Sequence, residues 1–144
     1  MTLPDHRILK FIKKHHVLTL STLQGEQSWC CNCFYVFDDE KLEFYFLTDE
    51  TTRHGSEMLI NNKVSGSVVL ESKIVGNLQG IQFSGIAYQQ TGEELSHAKT
   101  KYLKRFPYAI AANSPCWTIR VDVIKFTDNT LGFGKKLLWN RETI

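Results

Sequence analysis

Apolar and polar positions follow two different periods along the chain. At residues 6–16 the apolar side chains, among them Ile8 and Ile12, recur at helical spacing, which predicts an opening amphipathic helix that covers one end of the fold. At residues 17–23 apolar residues alternate with hydroxyl residues, and this period of two is typical of a strand. Elements can therefore be assigned along the chain from these two periods.

Six further segments, bounded by turns and rich in strand-favouring or small residues, are also assigned as strands. Strands are predicted at residues 28–37, 42–47, 64–70, 78–90, 116–127 and 135–139. The first three strands of the chain follow one another through short turns, which predicts a meander. Gly80 and Gly85 lie inside the long strand 78–90, where glycine indicates a bulge or a close approach of backbone.

Two further helices are predicted from their start signals. Residues 48–52 supply N-cap candidates for a helix that ends near Ile60. Thr91 stands at capping-box spacing before a third helix that runs to about Lys104. After Pro107, which interrupts that helix, a short helical piece is expected. The fold class is thus mainly β: a closed or partly closed antiparallel barrel of six or seven strands with about three flanking α-helices.

Composition restricts the class of protein. The chain has 144 residues, 42% of them hydrophobic and 22% charged, with a net charge of +2. These values argue against disorder and predict a single domain over residues 1–144. The low net charge gives no support to nucleic-acid binding. Because no signal-like or membrane-length apolar run occurs, we expect a cytoplasmic protein with no membrane segment.

Three of the four cysteines cluster at Cys30, Cys31 and Cys33, far from Cys116. Neighbouring residues of a strand point to opposite faces, so the cluster does not indicate a disulfide framework. Zinc coordination with a histidine, His54 or His97, is one interpretation. Structural zinc sites use ligand pairs at separated spacings, whereas this chain has one cluster. The preferred interpretation is small strand residues, with Cys30 or Cys33 facing the core, and no metal is predicted.

Residues 45–54 carry the strongest chemical signal. A strand runs into a helix whose first turn holds Thr51, Thr52, Arg53 and His54. Free N–H groups and the positive dipole end of a helix favour phosphate there, and an arginine can bind phosphate oxygens bidentately. An ordinary N-cap followed by a surface arginine would explain the same residues.

Several motifs together are similar to a known family. They are Thr51-Thr52-Arg53-His54, Asn62-Lys63-Val64 (which lacks a proline of the superfamily pattern), and residues 80–87, 105–107 and 124–136. Over nearly its whole length the chain resembles the uncharacterised YhbP-like bacterial family of the pyridoxamine 5'-phosphate oxidase-like FMN-binding split-barrel superfamily. The resemblance implies a split barrel that forms a homodimer, with FMN in clefts between the subunits.

The resemblance also implies cofactor-binding residues. Arg53, with Thr51 and Thr52, would bind the FMN phosphate. The ring and ribityl contacts would come from five strand or strand-end residues: Leu47, Thr48, Asn32, Cys33 and Gln82, the first two through backbone groups. The ending Leu138-Trp139-Asn140-Arg141 does not match the substrate-binding Trp and Arg pair of the phosphate oxidases, so oxidation of pyridoxamine phosphate is not expected.

Two classes of function remain open. One is a flavin-dependent oxidoreductase of unknown substrate, and no side-chain acid, base or nucleophile stands out that would name its catalytic residues. The other is a non-catalytic module that carries or senses flavin or haem. His15-His16 could supply an axial haem ligand or complement the helix dipole. Lys135-Lys136 could approach a partner's cofactor or a negatively charged substrate, or protect the edge of the last strand.

Overall fold

The computed structural model describes residues 2–142, and these form one antiparallel sheet with three α-helices. The strands are β1 Val17–Gln24, β2 Gln27–Phe34, β3 Val36–Asp38, β4 Glu43–Leu47, β5 Lys63–Leu70, β6 Gln79–Tyr88, β7 Cys116–Asp128 and β8 Lys136–Asn140. The helices are α1 His6–Lys14, α2 Arg53–Ile60 and α3 Gly92–Arg105. The sheet order is β2-β1-β5-β6-β7-β4-β3, with β8 paired to β7. This confirms the predicted mainly β fold of antiparallel strands with three helices; the sheet is a half-barrel of eight strands rather than the six or seven predicted.

The extra strand arises at Tyr35, where the predicted strand 28–37 divides. Before Tyr35 the chain pairs with β1, and after it β3 pairs with β4. The Tyr35 N–H donates to the carbonyl of His16 over 2.9 Å, and its fully buried hydroxyl donates to the carbonyl of Ile12 over 2.6 Å. The chain therefore turns a corner at this residue, and the predicted meander is split between two parts of the sheet.

The core lies between the inner face of the curved sheet and the helices. In α1 the helical period buries Ile8, Phe11 and Ile12, as predicted for a helix that covers one end of the barrel. The strands contribute the other large buried side chains, among them Leu18, Leu20, Phe44, Phe46, Trp117, Ile119 and Phe126. The side chains on the outer face of β1, β2, β5 and β6 are mostly exposed or half-buried.

Gly85 marks the predicted irregularity in β6. The pairing register between β6 and β7 shifts between Ser84 and Gly85. A Cβ atom at Gly85 would lie 2.3 Å from the carbonyl oxygen of Arg120. Glycine is therefore required here because the neighbouring backbone comes too close for any side chain.

The predicted N-cap is present at the start of α2 and absent at the start of α3 among the described residues. Thr52 caps α2 by accepting a hydrogen bond from the N–H of Gly55. Thr91 precedes α3, but its side chain makes no capping bond to any residue between 2 and 142. Gly92 starts α3 with φ 63°, so the backbone departs from the geometry that a capping box needs. None of the helices described is both long and apolar enough to cross a membrane.

Candidate functional site

The loop between β4 and α2 is held by Asp49. Its carboxylate accepts hydrogen bonds from the N–H and the hydroxyl of Thr51, both over 3.0 Å. The Thr52 hydroxyl donates to the Asp49 carbonyl over 2.7 Å while it caps the helix. These bonds to Thr51 lower the pKa of Asp49, which is therefore ionised at neutral pH. A carboxylate thus already occupies the two donors that Thr51 offers at the start of α2.

Arg53 is the first residue of α2, and its guanidinium is fixed from two sides. Its Nε donates to Oε2 of Glu57 over 3.2 Å, and its centre lies 4.1 Å from the ring centroid of Trp29. The two terminal Nη groups make no hydrogen bond to any other part of residues 2–142. Nor do the N–H groups of Arg53 and His54 have partners within the helix, because they stand in its first turn. This donor set fits a phosphate group.

Glu57 balances the charge of Arg53. Its side chain is only 2% exposed, and it also accepts a hydrogen bond from the buried hydroxyl of Thr22 over 3.0 Å. With Asp49 nearby, the start of α2 carries no net positive charge. An anion at this position would therefore be held by directed hydrogen-bond donors rather than by an overall electrostatic attraction.

Next to this helix start lies a cluster of soft side chains. Cys31 and Cys33 occupy the same face of β2, and their sulfurs are 3.8 Å apart. A ring nitrogen of His54 lies within 4.8 Å of both sulfurs. Nε2 of His54 is hydrogen-bonded to Oγ1 of Thr48 at 2.5 Å. Burial lowers the pKa of His54, so its imidazole is neutral at neutral pH.

Asn32 and Gln82 lie on the other face of the sheet. Asn32 pairs with Thr19, Thr19 with Ser67 and Ser67 with Gln82, so the four form one row across four strands. Both end residues are exposed, and three strand spacings of about 4.8 Å separate them by roughly 14 Å. Within one protomer, neither meets Cys33, whose side chain faces the core.

Leu47 and Thr48 end β4, but in different surroundings. Leu47 pairs with Cys116 of β7 and lines a cavity of about 240 Å³ beneath α3, together with Tyr102. The Thr48 N–H donates to the carbonyl of Pro115 over 3.1 Å. Of the backbone groups that the sequence assigned to a flavin ring, this N–H is therefore already engaged.

The histidines after α1 lie at an aromatic patch. His15 packs on Phe11, with ring centroids 4.3 Å apart, and burial lowers the pKa of His15. His16 is exposed and lies edge-on to Phe106 at 6.3 Å. Phe34, which is 58% exposed, contacts the same Phe106 ring at 5.6 Å.

Curated relatives place the chain in a family. No family model matches it. A UPF0306 protein of Photorhabdus laumondii is 42% identical over 134 residues, which cover 93% of this chain and 94% of the relative. The UPF0306 protein YhbP of Escherichia fergusonii is 45% identical over 136 residues, 94% and 92% of the two chains. The chain belongs to the UPF0306 (YhbP) family.

Solved structures show the fold of this UPF0306 chain to be that of the pyridoxamine 5'-phosphate oxidase-like split barrels. A haem-binding protein from Mycobacterium smegmatis matches with TM-score 0.74 and 19% identity. The match covers 87% of this chain and 52% of that protein, so this chain spans about half its length. The haem storage protein HutZ of Vibrio cholerae matches with TM-score 0.69 and 15% identity, and the match covers 84% of this chain and 92% of HutZ. An FAD-binding protein from Mesorhizobium loti matches with TM-score 0.67 and 16% identity, and the match covers 86% of this chain and 94% of that protein.

Three residues of the UPF0306 site were missed by the sequence analysis. Glu57 stands four residues after Arg53 on one helix, and this spacing is itself the signal of an ion pair. Asp49 and Trp29 carry no comparable signal. The position of Asp49 depends on the loop conformation, and that of Trp29 depends on how β2 packs against α2.

Proposed function

We propose that this UPF0306 protein binds FMN, with the flavin phosphate at the start of α2. The observation that carries the proposal is the guanidinium of Arg53, fixed by Glu57 and Trp29 at the start of a helix whose first-turn N–H groups have no partner within the helix. A fixed guanidinium and directed N–H donors are the groups that bind phosphate in proteins. Thr51 would join this site once the phosphate replaces the Asp49 carboxylate as the acceptor of its hydroxyl, and Thr52 once the phosphate replaces the Asp49 carbonyl.

The flavin ring would need a second copy of the chain. The recesses that Leu47 and Gln82 line have volumes of about 240 and 300 Å³, at or below the small end of the range for small-molecule sites. We therefore infer a homodimer with the flavin between the two copies. On this proposal Cys33 and Thr48 flank the phosphate end. The exposed Asn32 and Gln82 contact the flavin held by the second copy, and Leu47 borders the cleft.

When bound, FMN supplies the redox chemistry. The residues of this chain would bind and orient it, and burial between two copies would keep water from the ring. Whether the protein is an oxidoreductase or a carrier depends on turnover. Reduction of the bound flavin by NADH or NADPH, with transfer of electrons to an acceptor, supports the enzyme. Binding without turnover supports a flavin carrier or sensor.

Titration of FMN into the protein tests the proposal, with flavin fluorescence as the readout. We expect saturable quenching at one FMN per chain, with affinity reduced at least tenfold in Arg53→Ala, since hydrogen bonds to charged groups contribute about 1.5–3 kcal/mol each. Arg120→Ala is the matched control because Arg120 has similar exposure and its own ion pair with Asp122. Unsaturable quenching, or equal losses in both variants, would exclude the site.

Haem is a second candidate because of one observation, the exposed His16 beside the aromatic pair Phe34 and Phe106. A histidine next to exposed aromatic rings has the chemistry of an axial ligand in an apolar site. Haem titration should then give a shifted Soret band that is lost in His16→Ala and kept in His6→Ala, a variant of another exposed histidine. An unshifted Soret band would rule this candidate out.

A further inference from the structure

Two cysteines and one histidine meet where β2 packs against α2. Cys31 and Cys33 are two residues apart on a strand, so both side chains point to the inner face. His54, in the first turn of α2, brings a ring nitrogen within 4.8 Å of both sulfurs. Along the sequence the cysteines form one cluster, which by itself does not predict zinc. The fold adds a third ligand from a separate helix.

The distance between the two sulfurs agrees with tetrahedral coordination. A zinc ion bound to two sulfurs at about 2.3 Å each in a tetrahedron holds them about 3.8 Å apart. The observed Sγ–Sγ distance is 3.8 Å, far longer than the ~2.05 Å of a disulfide. The pair therefore needs no rearrangement to bind an ion between its sulfurs.

The surroundings also suit a metal ligand. Histidines that bind metals are oriented by a hydrogen bond from the ring to a neighbouring oxygen, and the hydroxyl of Thr48 is hydrogen-bonded to His54. Cys33 is buried and Cys31 half-buried, so the ion would be shielded from bulk water on the sulfur side. Thiolate and imidazole ligands favour zinc over magnesium or calcium, which prefer oxygen.

We propose that Cys31, Cys33 and His54 form a zinc site that ties β2 to α2. Both thiols lose their protons when the ion binds, and the imidazole binds in its neutral form. Three protein ligands leave the fourth tetrahedral position for water or another small ligand. The proposal does not use Arg53, but it shares Cys33, Thr48 and the first turn of α2 with the proposed FMN site. Zn²⁺ binding is therefore measured without FMN, so that failure of one site can be distinguished from failure of the other.

Metal titration of the purified, reduced full-length chain tests the site. Zn²⁺ binding is measured by competition with a chromophoric chelator, and Co²⁺ serves as a spectroscopic probe of thiolate coordination. We expect one Zn²⁺ per chain and a sulfur-to-cobalt charge-transfer band. Cys31→Ser, Cys33→Ser and His54→Ala should each weaken Zn²⁺ binding at least tenfold, and Thr48→Ala about tenfold, as for other outer-shell partners.

Cys30→Ser is the matched control. Cys30 is the chain neighbour of Cys31, but its exposed side chain lies on the opposite face of β2. This variant should bind Zn²⁺ as the wild type does. Because Cys33 is buried, circular dichroism confirms that each variant is folded, and His54→Ala tests the site without changing a buried thiol. Absence of the charge-transfer band in the wild type, or equal losses in Cys30→Ser and Cys31→Ser, would overturn the proposal.

Discussion

Arg53 donates a hydrogen bond from Nε to Oε2 of Glu57 across 3.2 Å, and Glu57 is a carboxylate only 2% exposed to solvent. The pair is one helical turn apart, so α2 itself sets the distance. Glu57 is held in turn by Thr22 of β1. The guanidinium is therefore anchored through its Nε edge to the body of the sheet, which leaves the Nη edge for another acceptor.

Because of this anchoring, we expect that lysine cannot replace Arg53 in binding the FMN phosphate. A lysine has a single ammonium group and no planar fork, so it cannot bond Glu57 and a phosphate in the same fixed geometry. We expect Arg53→Lys to weaken FMN binding about tenfold, or about 1.4 kcal/mol, as measured by flavin fluorescence. Equal FMN affinity in Arg53→Lys and the wild type would show that charge alone is sufficient.

The bulge at Gly85 should tolerate no side chain. Gly85→Ala places a Cβ 2.3 Å from the Arg120 carbonyl, and forced repacking of this kind costs about 1–3 kcal/mol. Urea unfolding should show that the free energy of unfolding falls by that amount. Gly76→Ala is the control because nothing lies within 4 Å of its Cβ position, and its stability should change by less than about 0.5 kcal/mol. Similar effects at both glycines would contradict the close approach.

Arg105 should stabilise the corner at Tyr35. Its guanidinium donates to the carbonyls of Tyr35 over 3.0 Å, Lys13 over 3.2 Å and His15 over 2.6 Å. Charged hydrogen bonds contribute about 1.5–3 kcal/mol each and are not additive, so Arg105→Gln should lower the free energy of unfolding by about 3 kcal/mol. Lys104→Gln, at an exposed neighbouring position, should change it little. A loss below about 0.5 kcal/mol in Arg105→Gln would refute this role.

Asp38 should make stability depend on acidic pH. Burial raises its pKa, but the hydrogen bonds from His97 and from the backbone of Lys41 and Glu40, with the charge of Lys101, lower it to about 2 from 3.8. A lowered pKa in the folded state adds stability that is complete above the unfolded pKa and is lost as pH falls through about 2.

Asp38→Asn measures that contribution. At pH 7 the variant should be less stable by about 2 kcal/mol, the free energy that corresponds to lowering the pKa of Asp38 from 3.8 to about 2. The difference should shrink between about pH 4 and pH 2. Unfolding at a series of pH values checks this, and parallel stability profiles of the two proteins across that window would exclude Asp38 as the responsible group.

Local signals in the sequence were sufficient for most elements and for the start of α2. They failed at Tyr35, because no turn residue interrupts residues 28–37 although the pairing partner changes there. That change depends on a buried hydroxyl and on the distant Arg105, which no local pattern encodes. Helix and strand periods thus predict elements, whereas the partner of each strand is set by long-range packing.

The candidate site was predicted in part. The position of Arg53 at the start of α2 was predicted because helix-start signals are local, and its role in binding FMN stays a prediction. Asn32 and Cys33 were assigned to one ligand, although adjacent strand residues must face opposite ways. The same parity places Cys31 and Cys33 together, and it was available from the sequence. The approach of His54 to these two thiols was not, because it depends on how α2 packs against β2.

Comparison of FMN with riboflavin tests the central claim most directly, because the two ligands differ only in the phosphate. We predict that the wild type and Arg120→Ala bind FMN at least tenfold more tightly than riboflavin, a difference of about 1.4 kcal/mol or more. In Arg53→Ala the two ligands should bind with nearly equal affinity. Equal affinities in the wild type, or a preference for FMN that survives in Arg53→Ala, would contradict a phosphate site at the start of α2.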